Sequence, residues 1–216
     1  MFITFEGIDG SGKSTQMRLV GERLRADGRA VLETCEPGGT PVGAQVRKIL
    51  LDSGNQELCP SAELLLYFAS RAQNVEELIL PALRSGKIVL SDRFTDSTLV
   101  YQGVARGLGV DAVRDLHRIA CRDLTPELTL LIDVDLETSL ARARERNRQL
   151  SLAGVTAETR MDDEAIEFHR KVQHAYWAMA EAESRRFVVI DGRRDIEAVA
   201  RDVWRAVSDR LRVLRV

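Results

Sequence analysis

The stretch Phe2-Ile-Thr-Phe-Glu-Gly-Ile-Asp-Gly-Ser-Gly-Lys-Ser-Thr15 decides the fold. Phe2 to Phe5 are apolar or β-branched and read as a buried strand. The residues after Ser14 keep helical spacing as far as Asp27, where Gly28 closes the helix. Between them, Gly7-Ile8-Asp9-Gly10-Ser11-Gly12-Lys13-Ser14 fits the pattern GxxxxGK[ST] in the strand-loop-helix setting in which that pattern binds phosphate. The glycines let backbone N–H groups turn inward around a β-phosphate, and the helix N-terminus adds positive potential. Lys13 reaches the β/γ oxygens and Ser14 ligates Mg²⁺. A simple glycine turn would require neither Lys13 nor Ser14.

Outward from this loop, four more apolar runs read as strands: Ala30 to Thr34, Ile88 to Ser91, Leu128 to Val134 and Phe187 to Ile190. They alternate with helical stretches, among them Ala62 to Ser85 closing on Gly86, and Asp163 to Ser184. Strand alternating with helix predicts right-handed crossovers and an α/β fold of three layers, a five-stranded parallel sheet flanked by helices, as in P-loop NTPases. A length of 216 residues suits one such domain, residues 1–216. The stretch Asn147 to Thr159, polar and without clear periodicity, reads as an irregular mobile cover beside an arginine-dense helix end.

With 31 basic and 33 acidic residues and a net charge of −2, the chain has no global field that would gather nucleic acid or anionic membrane, so any anion site must be local. Cys35, Cys59 and Cys121 lie far apart, which predicts reduced thiols in a cytoplasmic protein rather than disulfides or zinc. No apolar run is long enough to span a bilayer, and the first residues run straight into a strand without a basic leader.

Phosphate loops serve switches, motors and transferases. The NKxD base-recognition element of GTPases is absent, and a motor would need more chain, which leaves a small kinase. Asp9, an acid inside a phosphate loop, has two readings: it turns toward a second ligand bearing hydroxyls or toward metal-bound water, or it accepts from loop amides. Asp92 ends a buried strand as a metal-side acid should, and Arg93 follows it at the carboxyl edge of the sheet, where ligands of such folds bind; an ordinary salt bridge is the other reading of that pair.

The segments "FEGIDGSGKST", "EPGGT", "LYFASRAQ", "SDRFTDSTLVYQG" and "FHRKVQHAY" together resemble the successive motifs of bacterial thymidylate kinases, in order from Phe2 to about Ala180. The resemblance implies ATP-dependent phosphorylation of dTMP to dTDP. ATP phosphates would lie on Gly7, Ile8, Asp9, Gly10, Ser11, Gly12, Lys13, Ser14 and Thr15. The acceptor would lie across Asp9, Glu36, Pro37, Arg47 and Arg93, with Asp9 near the sugar 3′-hydroxyl. Tyr67 and Arg71, four apart and so on one helix face, would stack on the pyrimidine and donate to its O4. Tyr101 would crowd a 2′-hydroxyl, while Ser97, Thr98 and Gln102 line the base pocket. Lys13 would hold the donor, Arg93 would bridge donor and acceptor, and Ser14 and Asp92 would stand on the Mg²⁺ side.

The run Leu140 to Arg148 resembles the arginine-bearing lid of these enzymes, about residues 142–160, with Arg142 toward adenine and Arg144 toward the transferred group. The family is also implied to form homodimers through helices, for which the apolar spacings of Val75 to Leu83 and Leu108 to Ile119 are available. Two departures stand out: Cys35 occupies the place of an arginine before Glu-Pro-Gly-Gly-Thr, and Thr159-Arg160-Met161-Asp162 replaces the usual Asp-Arg-Ile-Glu. The alternatives are another nucleoside monophosphate or deoxynucleoside kinase, and a nucleotide-binding regulator that has lost transfer.

Overall fold

The computed structural model describes residues 1–152, 159–162 and 164–214. The strands β1 (Phe2–Glu6), β2 (Val31–Cys35), β3 (Ile88–Asp92), β4 (Leu128–Asp133) and β5 (Phe187–Asp191) form one parallel sheet in the order β2-β3-β1-β4-β5. All five expected strands are present, with ends that differ by a residue or so. The first strand in sequence is thus the central one. Its register brings Phe5 opposite Asp92, and Cys35 pairs with Asp92 on the other side of β3, so the carboxyl ends of β1, β2 and β3 meet at one edge.

The intervening helices are α1 (Lys13–Ala26), α2 (Pro41–Leu51), α3 (Pro60–Asn74), α4 (Leu80–Arg84), α5 (Thr95–Thr98), α6 (Val110–Cys121), α7 (Leu136–Leu152), α8 (Ile166–Ala182) and α9 (Ile196–Leu214). Side chains alternate across β1. Ile3 and Phe5 enter a core with Val20 and Leu24 of α1 and Val199, Val203 and Val207 of α9, whereas Phe2 joins Phe68, Val89 and Phe94 on the other face. Such two-sided burial explains why the strands read as continuous apolar runs.

The helix expected from Ala62 to Ser85 starts at Pro60 and passes through a π-helical turn, Val75–Ile79, between α3 and α4. Pro81 lacks the N–H that would close the next regular turn, and the ladder upstream widens, with Leu80 N–H donating to Val75 O. Val75 and Ile79, expected on a helix face free for a partner, are wholly buried in the core. Correspondingly, the helix expected from Asp163 is α8, starting at Ile166; Asp163 lies outside the described residues.

The stretch Asn147 to Thr159, expected to be irregular, begins as helix. α7 runs to Leu152, supported by exposed pairs from Glu145 to Arg148 and Gln149 three and four residues on. Residues 153–158 lie outside the described residues.

Candidate active site

The phosphate loop leaves β1 through Gly7, Gly10 and Gly12, at φ of 137°, 78° and 98°. Two of them are needed for space as well. A Cβ on Gly7 would lie 2.4 Å from the Ile132 carbonyl oxygen, and one on Gly10 would lie 2.3 Å from that of Ser139 in α7. Lys13 is buried with its Nζ donating to Ile8 O at 2.9 Å; burial, followed by repulsion from Arg93, pushes it down to about 8. The Ser14 hydroxyl donates to the Asp92 carboxylate across the loop mouth. Gly7 and Ile8 form the buried turn itself, with the Ile8 side chain in the core.

Arg93 follows β3 in the left-handed region, φ 71°, an uncommon conformation for a side-chain-bearing residue. Its N–H donates to Phe5 O at 3.0 Å, tying it to the central strand. Nη2 donates to Asp9 Oδ1 at 2.8 Å, and Nη1 donates to Ser97 Oγ at 2.9 Å and Tyr176 OH at 3.3 Å. Asp9 therefore turns away from its own loop. Although burial opposes it, Arg93 and Lys13 hold its carboxyl well below the usual range.

Behind Arg93 stands Glu6, wholly buried, which accepts from Phe94 N–H (2.8 Å), Ser97 Oγ (2.6 Å) and Tyr176 OH (2.7 Å). Burial, with Asp96 adding repulsion, pushes the Glu6 carboxyl up to about 7. The sequence reading missed this pair although Glu6 and Tyr176 both stand in quoted segments, because they are 170 residues apart and meet only in the fold.

A second group surrounds Arg71, which is buried on α3. Its Nε donates to Glu36 Oε2 at 2.5 Å, and its Nη2 to Thr98 Oγ1 at 2.8 Å and Phe94 O at 3.2 Å; its Nη1 has no partner among the described residues. Asn74 donates to the other oxygen of Glu36, at 3.0 Å. Arg47 donates from Nη1 to Pro37 O at 2.8 Å.

These groups line two adjoining cavities. One, of about 520 Å³, is bounded by Asp9, Glu36, Pro37, Arg47, Tyr67, Arg71, Arg93, Ser97, Thr98, Tyr101 and Gln102, joined by Leu51, Asn147, Met161 and Asp162. The other, of about 770 Å³, is bounded by Asp9 through Met17, with Cys35, Asp92, Arg142, Gly192, Arg194, Ile196 and Val199. Asp9, Ser14, Glu36, Arg47, Arg93 and Arg146 belong to both walls.

Arg144, expected at the reacting group, lines neither. On α7 it is turned about 160° from Arg146 and 160° from Arg142, by the helical 100° per residue, whereas Arg142 and Arg146, four apart, share the face that borders the cavities. Arg142 donates to Gly192 O at 3.1 Å, and Arg146 to Asp162 Oδ2 at 2.9 Å. The spacing of four was the signal that could have singled out Arg146.

A family model for thymidylate kinase matches residues 5–203. Among curated relatives, thymidylate kinase of Pelobacter propionicus is 49% identical over 199 residues, 92% of this chain and 90% of the relative. That of Citrifermentans bemidjiense is 48% identical over 213 residues, 99% and 93% respectively. The crystal structure of thymidylate kinase from Ehrlichia chaffeensis superposes with a TM-score of 0.76 at 33% identity, covering 96% of this chain and 98% of that one. With a phosphate loop, an Arg93 that borders two adjoining cavities, and a match across nearly its whole length, the chain belongs to the thymidylate kinase family.

Proposed function

We infer that the chain carries out ATP-dependent phosphorylation of dTMP to dTDP, with ATP in the 770 Å³ cavity over the phosphate loop and dTMP in the 520 Å³ cavity. The observation that carries this division is the shared wall: Arg93 reaches both cavities and so can hold donor and acceptor phosphates at once.

A phosphate monoester has a second pKa of about 6, so the acceptor oxygen is already anionic at neutral pH and needs no general base. The barrier lies in bringing two polyanions together, which fixed cations lower. Lys13 serves the β/γ oxygens of ATP, Arg93 bridges to the acceptor, and Arg146 replaces Arg144 as the α7 arginine over the transferred group. Arg142 and Arg194 also line the donor cavity. α7 and the segment around Met161 act as the lid that keeps water from the reacting phosphates.

Ser14 and Asp92 present adjacent hard oxygen donors at the loop mouth, a set that suits Mg²⁺, which takes one or two protein oxygens and completes its shell with phosphates and water. When bound there it would supply charge neutralisation on the β- and γ-phosphates.

Tyr67 stacks on the base, Asp9 receives the sugar 3′-hydroxyl, and Tyr101 occupies the space a 2′-hydroxyl would need. The unpartnered Nη1 of Arg71 is a donor awaiting an acceptor, which thymine O4 supplies and the cytosine amine does not. Leu65, Val104 and Ile119, apolar and exposed on neighbouring elements, support a homodimer through this face; Ile119→Arg should then give a monomer in sedimentation. The free thiols Cys35, Cys59 and Cys121 suit the reducing cytoplasm.

The deciding experiment measures ADP formation from Mg-ATP with dTMP, dUMP, dCMP, thymidine, AMP and no acceptor. Strong turnover with dTMP, weaker with dUMP and none with dCMP is expected; turnover with thymidine but not dTMP would make the chain a nucleoside kinase.

A further inference from the structure

Among the wholly buried carboxylates that the transfer chemistry leaves unused is Glu63 on α3. Three side chains converge on it. Gln102 Nε2 donates to Oε1 at 2.8 Å, Arg106 donates to both oxygens at 3.2 Å, and Arg160 Nη2 donates to Oε2 at 2.6 Å. Burial alone would push this carboxyl up, but the bonds from Arg106, Gln102 and Arg160 outweigh it and hold the group below its usual range. Two guanidiniums around one acid keep it an anion.

An ionised carboxylate only accepts hydrogen bonds. The end of the Gln102 amide that meets Glu63 must therefore be the NH₂, and the oxygen must turn away from it. Gln102 is 1% exposed and lines the 520 Å³ cavity, so the amide cannot turn freely into solvent.

We infer that Glu63 is a positioning residue for base selection: it locks the Gln102 amide with its oxygen toward the base, opposite in character to the free Nη1 donor of Arg71. The inference rests on reading the 520 Å³ cavity as the acceptor site. A wall with one acceptor and one donor matches the N3–H and O4 of thymine. Cytosine reverses both, with a lone pair at N3 and an amine at position 4, and meets each wall group with its like. With Glu63 neutral the lock is lost, because an amide at that position accepts or donates equally well and the Gln102 amide flips to suit cytosine.

The test compares kcat/KM for dTMP and dCMP in the wild type, Glu63→Gln, Gln102→Leu and the double variant. Glu63→Gln is expected to lower the dTMP-over-dCMP ratio by about tenfold or more through KM, with kcat for saturating dTMP within about threefold of wild type. In the Gln102→Leu background the same substitution should change the ratio by less than about twofold. A ratio unchanged in Glu63→Gln but lowered in Gln102→Leu would overturn the role of Glu63 and leave the cavity assignment standing. A ratio and a dTMP KM unchanged in Gln102→Leu would overturn the cavity assignment itself.

Should Glu63→Gln fail to fold, the wild type decides. Its Gln102 side-chain NH₂ signals, identified by their loss in Gln102→Leu, should be widely split and slow to exchange. A narrow pair exchanging at the rate of a free glutamine would overturn the lock.

Discussion

At the scale of the residue, Arg93 shows how one conformation serves two ligands. A left-handed backbone costs such a residue about 1–2 kcal/mol, and here the N–H bond to Phe5 O, the Asp9 pair and the bonds to Ser97 and Tyr176 hold it in place. Arg93→Ala should lower kcat by about a hundredfold or more while moving the ATP Kd by less than about threefold, measured by steady-state turnover and calorimetry; near-normal turnover would remove the bridging role. Glu6, behind it, gives a pH signature. Its ordinary value is 4.5 and its folded value about 7, so between those pH values the folded chain keeps a proton that the unfolded chain has released. The stability from this group is full below pH 4.5 and is lost as pH rises toward 7. Urea unfolding should show wild-type stability falling relative to Glu6→Gln by about 3 kcal/mol across that window, and parallel profiles would refute it. Lys13, Ser14, Asp92 and Arg93 were legible because a motif names them by position. Glu6, Tyr176 and Glu63 were not, because each acts through partners that only the sheet order and helix packing bring near.

At the scale of the element, the loop and α7 are built as one piece. Gly10 lies so close to the Ser139 carbonyl that no larger residue fits, and Ser139 donates through its hydroxyl to the Asp9 carbonyl. Gly10→Ala combines that clash with an unfavourable φ of 78°; a loss of about 1–3 kcal/mol in stability is expected from unfolding curves, together with weaker ATP binding. On α7, Arg146→Ala should cost at least about tenfold more in kcat than Arg144→Ala, and equal losses would return Arg144 to consideration. Strand and helix spacing made most elements legible. The π-helical turns at Val75–Ile79 and Leu99–Ala105 were not, since an i,i+5 ladder leaves no periodicity of its own in so short a stretch, yet the second carries Tyr101 and Gln102 to the cavity wall.

At the scale of the whole molecule, both cavities open at the carboxyl edge of a sheet whose central strand is locked from each side. Phe5 sits wholly buried in the layer beneath α1 and α9. Phe5→Ala should destabilise by about 3–5 kcal/mol in urea unfolding, and ATP at a hundred times its Kd should return about 2.7 kcal/mol of that by mass action; a small effect would mean this layer repacks easily. The strand order has a further consequence during synthesis. β1 is made first but pairs only with β3 and β4, beginning with Phe2 beside Val89 and Ile3 beside Leu128. At about 5–20 residues per second on the ribosome, roughly 4–17 s pass before its first neighbour emerges. Translational pauses upstream of Ile88 prolong that exposure of an apolar segment, so slow codons placed there are expected to lower the yield of native chains while leaving their final stability untouched.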